Sequence, residues 1–165
     1  MIFAEFPIIL IKTLTDSGSS LAVSASSTNV ACFGNANGAI NLSIGNGTAP
    51  FSFFWENGAT TQNRTGLSGG IYSVTVTDGN DCTSVFSKSI TEPAAALATT
   101  ATATDIACFG KETGAIQLAP TGGTAPFTYN WGNGITSQNR TDLAAGTYPA
   151  ASSDANGCET TVSSN

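Results

Sequence analysis

From Gly38 to Ile44 every second residue is aliphatic: Ile40, Leu42 and Ile44 fall on one side, Asn41 and Ser43 on the other. Phe51, Phe53 and Trp55 alternate in the same way, which sends Phe54 to the opposite face. Residues 71–77 group Tyr72, Val74 and Val76, and residues 83–91 carry a further strand-like run. A shorter run, Leu21-Ala22-Val23, precedes them. Period two belongs to a strand with one buried face, because successive side chains point to opposite sides. Asn46-Gly47, Asn57-Gly58, Gly69-Gly70 and, later, Asn133-Gly134 punctuate the runs. Such dipeptides suit tight turns. No segment carries a helical period. The pattern predicts an all-β chain of short strands packed as sandwiches.

The same pattern then recurs. Ala31-Cys32-Phe33-Gly34 returns as Ala107-Cys108-Phe109-Gly110, and Trp55, Tyr72 and Cys82 return as Trp131, Tyr148 and Cys158, all at an offset of 76. Between Ala31 and Cys82, 27 of 52 positions match their partners without a gap. A gapless repeat of this length is a tandem module, and tandem modules more often build rods and arrays than active sites. The offset divides the chain into an N-terminal segment 1–15, a first sandwich 16–91 and a second 92–165, with Glu92-Pro93 at the junction.

Domains of about 76 residues bury thin cores and usually need a staple. Cys32 and Cys82 stand 50 residues apart, and so do Cys108 and Cys158. Four cysteines allow three pairings. The equal spacing favours one bridge within each copy, Cys32–Cys82 and Cys108–Cys158. There is no CxxC and no histidine, which argues against zinc. Disulfides imply an oxidising, extracellular setting. A net charge of −6 argues against nucleic acid and anionic membranes, which call for basic patches. No run of about 20 apolar residues exists to span a bilayer.

Cys-Phe-Gly at 32–34 and 108–110, Ala-Pro-Phe at 49–51 and 125–127, Trp-x-Asn-Gly at 55–58 and 131–134, and Gly-x-Tyr at 70–72 and 146–148 form a recurring signature. It resembles the SprB repeat, a module found in tandem in large cell-surface adhesins of gliding bacteria and exported by the type IX route. The resemblance covers about residues 20–91 and 96–162. It implies an immunoglobulin-like sandwich close to polycystic-kidney-disease-type domains, an adhesive or structural role, and no catalytic residues. The order Cys…Trp…Cys is also similar to immunoglobulin domains. Tyr72 lies ten residues before Cys82 rather than two, so a literal tyrosine corner is not expected. The second copy departs from the first at Tyr148-Pro149-Ala150-Ala151-Ser152, where proline and small residues call for an edge strand or for packing gained from elsewhere.

The candidate chemistry is sparse. Asp78 and Asn80, with Asp154 and Asn156, present oxygens of the kind calcium takes, but an Asx turn is the expected role. Trp55, Trp131, Tyr72 and Tyr148 are expected as core anchors rather than as a sugar-stacking platform. Arg64 and Arg140 are expected to cover the sandwich locally. No carboxylate pair recurs, since Glu56 answers to Gly132 and Glu112 to Ala36, so no enzyme is expected.

Met1–Leu14 is apolar, with Phe3, Phe6, Ile8, Ile9, Leu10 and Ile11 in one run. Its end, Lys12-Thr13-Leu14-Thr15, aligns with Lys88-Ser89-Ile90-Thr91, the close of the first copy. A segment that apolar is expected to pair with something, and a strand donated to the second repeat of a neighbouring copy is the sharpest expectation. The expected function is an extracellular structural or adhesive module forming a rod or head-to-tail filament. A glycan-binding module of a longer adhesin is the alternative. The expected partners are copies of itself, adjacent repeats of a larger adhesin, or surface glycans.

Overall fold

The computed structural model describes residues 20–108 and 110–165. The N-terminal strand expected over 1–15, with Phe3, Phe6 and Ile8–Ile11, lies outside the described residues. The rest is all-β. The first six strands are β1 (Ala22–Thr28), β2 (Gly38–Gly45), β3 (Ser52–Trp55), β4 (Arg64–Leu67), β5 (Gly70–Thr77) and β6 (Thr83–Ile90). They form two three-stranded antiparallel sheets, β1-β2-β4 and β3-β5-β6, with β1 lying against β6. The second six are β7 (Ala98–Thr104), β8 (Gly114–Thr121), β9 (Thr128–Asn130), β10 (Asn139–Leu143), β11 (Tyr148–Ser153) and β12 (Glu159–Ser164). They repeat the arrangement as β7-β8-β10 and β9-β11-β12. Both Ala-Pro bonds at the starts of β3 and β9, Ala49-Pro50 and Ala125-Pro126, are cis.

The inward faces are those the alternation predicts. Ile40, Leu42, Trp55, Val74 and Val76 are buried in the first sandwich, joined by Leu21, Val30, Leu67 and Ile90. Phe54, on the other side of β3, is 62% exposed. The second core is thinner: Ile116, Leu118, Trp131, Leu143 and Ala150. At the places of Val74 and Val76 it has only Ala150 and Ser152, both buried.

Strands β4 and β10 carry no alternation, and the register explains why. Each pairs with its neighbour across a bulge, and each has a left-handed residue there, Gly66 at φ 68° and Asp142 at φ 57°. An extra residue breaks the two-residue period that reveals a strand.

The Pro149 strand corrects an expectation. β11 is the middle strand of its sheet, not an edge. Its partner β9 reaches only Ala151–Ser153, so Pro149 sits where one side of the strand is already open. The first sandwich shows what that side requires. There the Ser73 amide donates to Glu56 Oε2 at 2.6 Å, a carboxylate capping the exposed N–H. The second copy loses donor and cap together, with Pro149 for Ser73 and Gly132 for Glu56. A proline is tolerated because its missing N–H faces no ladder partner.

Candidate functional site at the junction between repeats

Each sandwich has two poles. In the first, β5 and β6 pair from Gly70↔Ile90 at one end to Thr77↔Thr83 at the other. Cys82 follows the second end. Cys32 follows β1, whose Thr28 lies at the Ile90 end: a Cβ on Gly38 would stand 2.8 Å from Ile90 Cγ2 and 3.3 Å from Thr28 O. The eight-residue β5 therefore separates the two cysteines by about 25 Å at 3.3 Å per residue. A disulfide needs Cα atoms within about 7 Å. The expected Cys32–Cys82 and Cys108–Cys158 bridges do not form for this reason. Instead Cys32 bonds Cys158, with Cα atoms 5.7 Å apart at a sequence separation of 126. The bridge joins one repeat to the next. Cys82 and Cys108 are exposed free thiols.

The Cys158 side is organised by Asp154. Its Oδ1 accepts the amides of Asn156 and Cys158, both at 2.9 Å, and its Oδ2 accepts the Thr124 amide at 2.9 Å. Asp78 does the same with Asn80, Cys82 and Thr48 at 2.9–3.0 Å. These are the expected Asx turns, each closed by a third bond across the pole. The Thr48 amide, with those of Cys82 and Asn80, holds the Asp78 carboxyl below its usual range. Burial pushes Asp154 up, but its three amide donors outweigh that and the net shift is again downward. Calcium would have to compete with three N–H donors at either carboxylate. Among the described residues no group of three or more acidic, cysteine or histidine side chains comes together as a metal site.

The Cys32 side is a turn tied to the linker. The Val30 amide donates to Thr91 O, the Thr91 amide to Asn29 Oδ1, and the Gly34 amide to Glu92 Oε2. Within the turn, the Asn35 amide bonds Cys32 O and the Ala31 amide bonds Asn37 Oδ1. Across the junction, Asn156 Nδ2 donates to Ala31 O at 3.0 Å while also reaching Thr124 Oγ1. Cys158 Sγ lies 3.5 Å from the same carbonyl, a contact only, since a bridged sulfur has no proton. One disulfide and one hydrogen bond from a side-chain amide thus lock the first repeat to the second at neighbouring residues.

The aromatic residues lie elsewhere. Trp55 is fully buried and its Nε1–H donates to Thr61 O at 2.8 Å; Trp131 donates to Ser137 O at 2.7 Å. Arg64 lies over the Trp55 and Tyr72 rings at 5.4 and 5.9 Å, and Arg140 over Trp131 and Tyr148 at 5.6 and 5.1 Å. Each arginine comes from one sheet and its rings from the other, so the cation closes the side of the sandwich. Tyr72 OH donates to Ser68 O and Tyr148 OH to Ala144 O, both at 2.9 Å. This is the bond of a tyrosine corner, which the distance to the cysteine had argued against. Its determinant is a tyrosine at the start of the strand after the corner, and the cysteine spacing is irrelevant to it.

Two stretches of the chain match the family model of the SprB repeat, residues 24–60 and 100–136. The chain carries two SprB repeats. Each match spans the cysteine turn of its repeat and the buried tryptophan, which closes β3 in the first repeat and directly follows β9 in the second. SprB repeats are modules of cell-surface proteins, and a disulfide joining them is in keeping with that setting. No curated protein matches the chain.

Proposed function

We propose that this chain is a non-catalytic structural module of the cell surface, which extends head-to-tail into a rod or filament that displays or anchors an adhesin. The observation that carries this reading is the Cys32–Cys158 bridge. It joins the Cys32 pole of one SprB repeat to the Cys82-type pole of the next, so the junction is heterologous. A heterologous contact propagates unless a rotation closes it. Support also comes from the far pole of repeat 2. In repeat 1 that pole buries Val30 and Ile90. The corresponding place in repeat 2, among Ile106, Gly114, Ile116, Leu143 and Tyr148, is a mostly apolar cavity of about 480 Å³. Leu14 aligns with Ile90. A Leu14 strand from a second copy would fill the cavity through the main-chain pairing of strand addition. Polymerisation tests the reading. Purified chain should form fibres under negative stain, and deletion of residues 1–15 should leave soluble monomer. Fibres that form equally well after the deletion contradict strand donation.

A glycan-binding role is the second reading. It draws on the aromatic content, but Trp55 is sealed in the core and Trp131 is nearly so. Soaked sugars at equivalent loops of both repeats would favour it.

A further inference from the structure

We infer that Cys108 of one copy and Cys82 of the next are the two open halves of a second bridge, equivalent to Cys32–Cys158, which makes the head-to-tail contact covalent. The inference rests on the polymer reading above and adds its chemistry. The repeat offset pairs Cys108 with Cys32 and Cys82 with Cys158. Both partners of the formed bridge therefore have an unbonded counterpart, one at each outer pole.

Both counterparts stand in environments already shaped like those of the bonded pair. At Cys82, Asp78 Oδ1 accepts the cysteine amide at 3.0 Å, and Asn80 Nδ2 reaches Thr48 Oγ1 at 3.0 Å. Asp154 and Asn156 make the same bonds beside Cys158. Asn156 adds its bond to Ala31 O across the junction. The Asn80 amide group is the equivalent donor, and Ala107 O of a neighbour its equivalent acceptor. At Cys108 the Lys111 amide donates to Cys108 O at 3.1 Å and the Ala107 amide to Thr113 Oγ1 at 3.1 Å. Asn35 and Asn37 hold the Cys32 turn in the same two places. Neither half needs rebuilding before it docks, which lowers the ordering cost of association.

The bond needs an oxidant, and a low-molecular-weight disulfide supplies it. The Cys82 thiolate attacks one sulfur of that disulfide, breaking its S–S bond and releasing one thiolate. The Cys108 thiolate of the neighbour then attacks the Cys82 sulfur of the mixed disulfide, and the second small thiolate leaves. Two protein thiols lose two electrons and two protons, and one small disulfide becomes two small thiols.

The test is complementation between two variants. Cys82→Ser keeps only Cys108 free, and Cys108→Ser keeps only Cys82 free. One is labelled with ¹⁵N, and each is incubated with oxidised glutathione alone and then as an equimolar mixture. The mixture should give a disulfide-linked labelled–unlabelled dimer at least ten times faster than either variant alone, and covalent growth, read on denaturing non-reducing gels, should stop at the dimer. Peptide mapping should place the link between Cys82 and Cys108. Dimerisation of each variant alone at the rate of the mixture, or no cross-link in the mixture, overturns the inference. The Cys82→Ser/Cys108→Ser double variant separates the two levels. If it still forms fibres while the mixture fails to cross-link, the polymer reading stands and the covalent bond is wrong. If it forms none and the mixture does not cross-link, both fall.

Discussion

Ser152 is fully buried, and its hydroxyl has no hydrogen-bond partner. It lies on β11 between Tyr129 of β9 and Thr160 of β12, on the same face as the buried Ala150. The counterpart in repeat 1 is Val76, equally buried. A buried hydroxyl left unpaired costs about 1–3 kcal/mol. Ser152→Ala removes that group and should stabilise repeat 2 by about 1 kcal/mol or more. Ser152→Val also places two methyl groups where one oxygen stood, worth roughly 0.8 kcal/mol each where there is room. Overpacking acts in the opposite direction by about 1–3 kcal/mol. The thin core of repeat 2 favours room, so a net gain of roughly 2 kcal/mol is expected. Ser152→Thr keeps the hydroxyl and should gain less than Ser152→Val. The assay is urea unfolding followed by fluorescence in a Trp55→Phe background, where Trp131 alone reports. A loss of 1 kcal/mol or more in Ser152→Ala would show that the hydroxyl has a partner after all and refute the reasoning.

Other outcomes follow from the same structure. Trp55→Ala should destabilise repeat 1 by about 3–5 kcal/mol in denaturant titrations, since it empties the largest buried side chain of the core. Ser73→Pro should cost about 1 kcal/mol less in a Glu56→Gly background than in the wild type, because the carboxylate then has no amide to lose; a cycle with no coupling contradicts the capping. Asp78 and Asp154 have lowered carboxyl pKa values in the folded state. The stability they contribute is complete above the ordinary carboxylate pKa of about 4 and is lost as pH falls through the lowered value. Asp78→Asn and Asp154→Asn should flatten that acid limb, measured as thermal midpoint between pH 5 and pH 2.

The sandwiches were legible because their cores obey a two-residue period. Ile40, Leu42, Val74 and Val76 needed only the rule that alternate side chains share a face. Where the period fails, the sequence was silent, and β4 and β10 stayed hidden behind their bulges. Pro149 reads as an edge signal from its own strand alone, whereas what admits it to a middle strand is where β9 stops. The tyrosine bonds do not follow from cysteine spacing, which has no bearing on them; they depend on the tyrosine's place after the corner. The cysteine pairing was misread for a related reason. In a tandem repeat, 126 residues is one cysteine spacing plus one repeat length, 50 + 76, and is as regular as 50 alone. Spacing cannot distinguish a bridge within a module from one between modules. Only the poles decide, and they follow from strand register.

The most direct test of the modular junction is peptide mapping without reduction. The chain, kept dilute, is alkylated in its native state, digested, and read by mass spectrometry before and after reduction. One linked peptide pair containing Cys32 and Cys158, with alkyl groups on Cys82 and Cys108, is the predicted result. A Cys32–Cys82 or Cys108–Cys158 link would place each bridge within its own repeat and contradict the account.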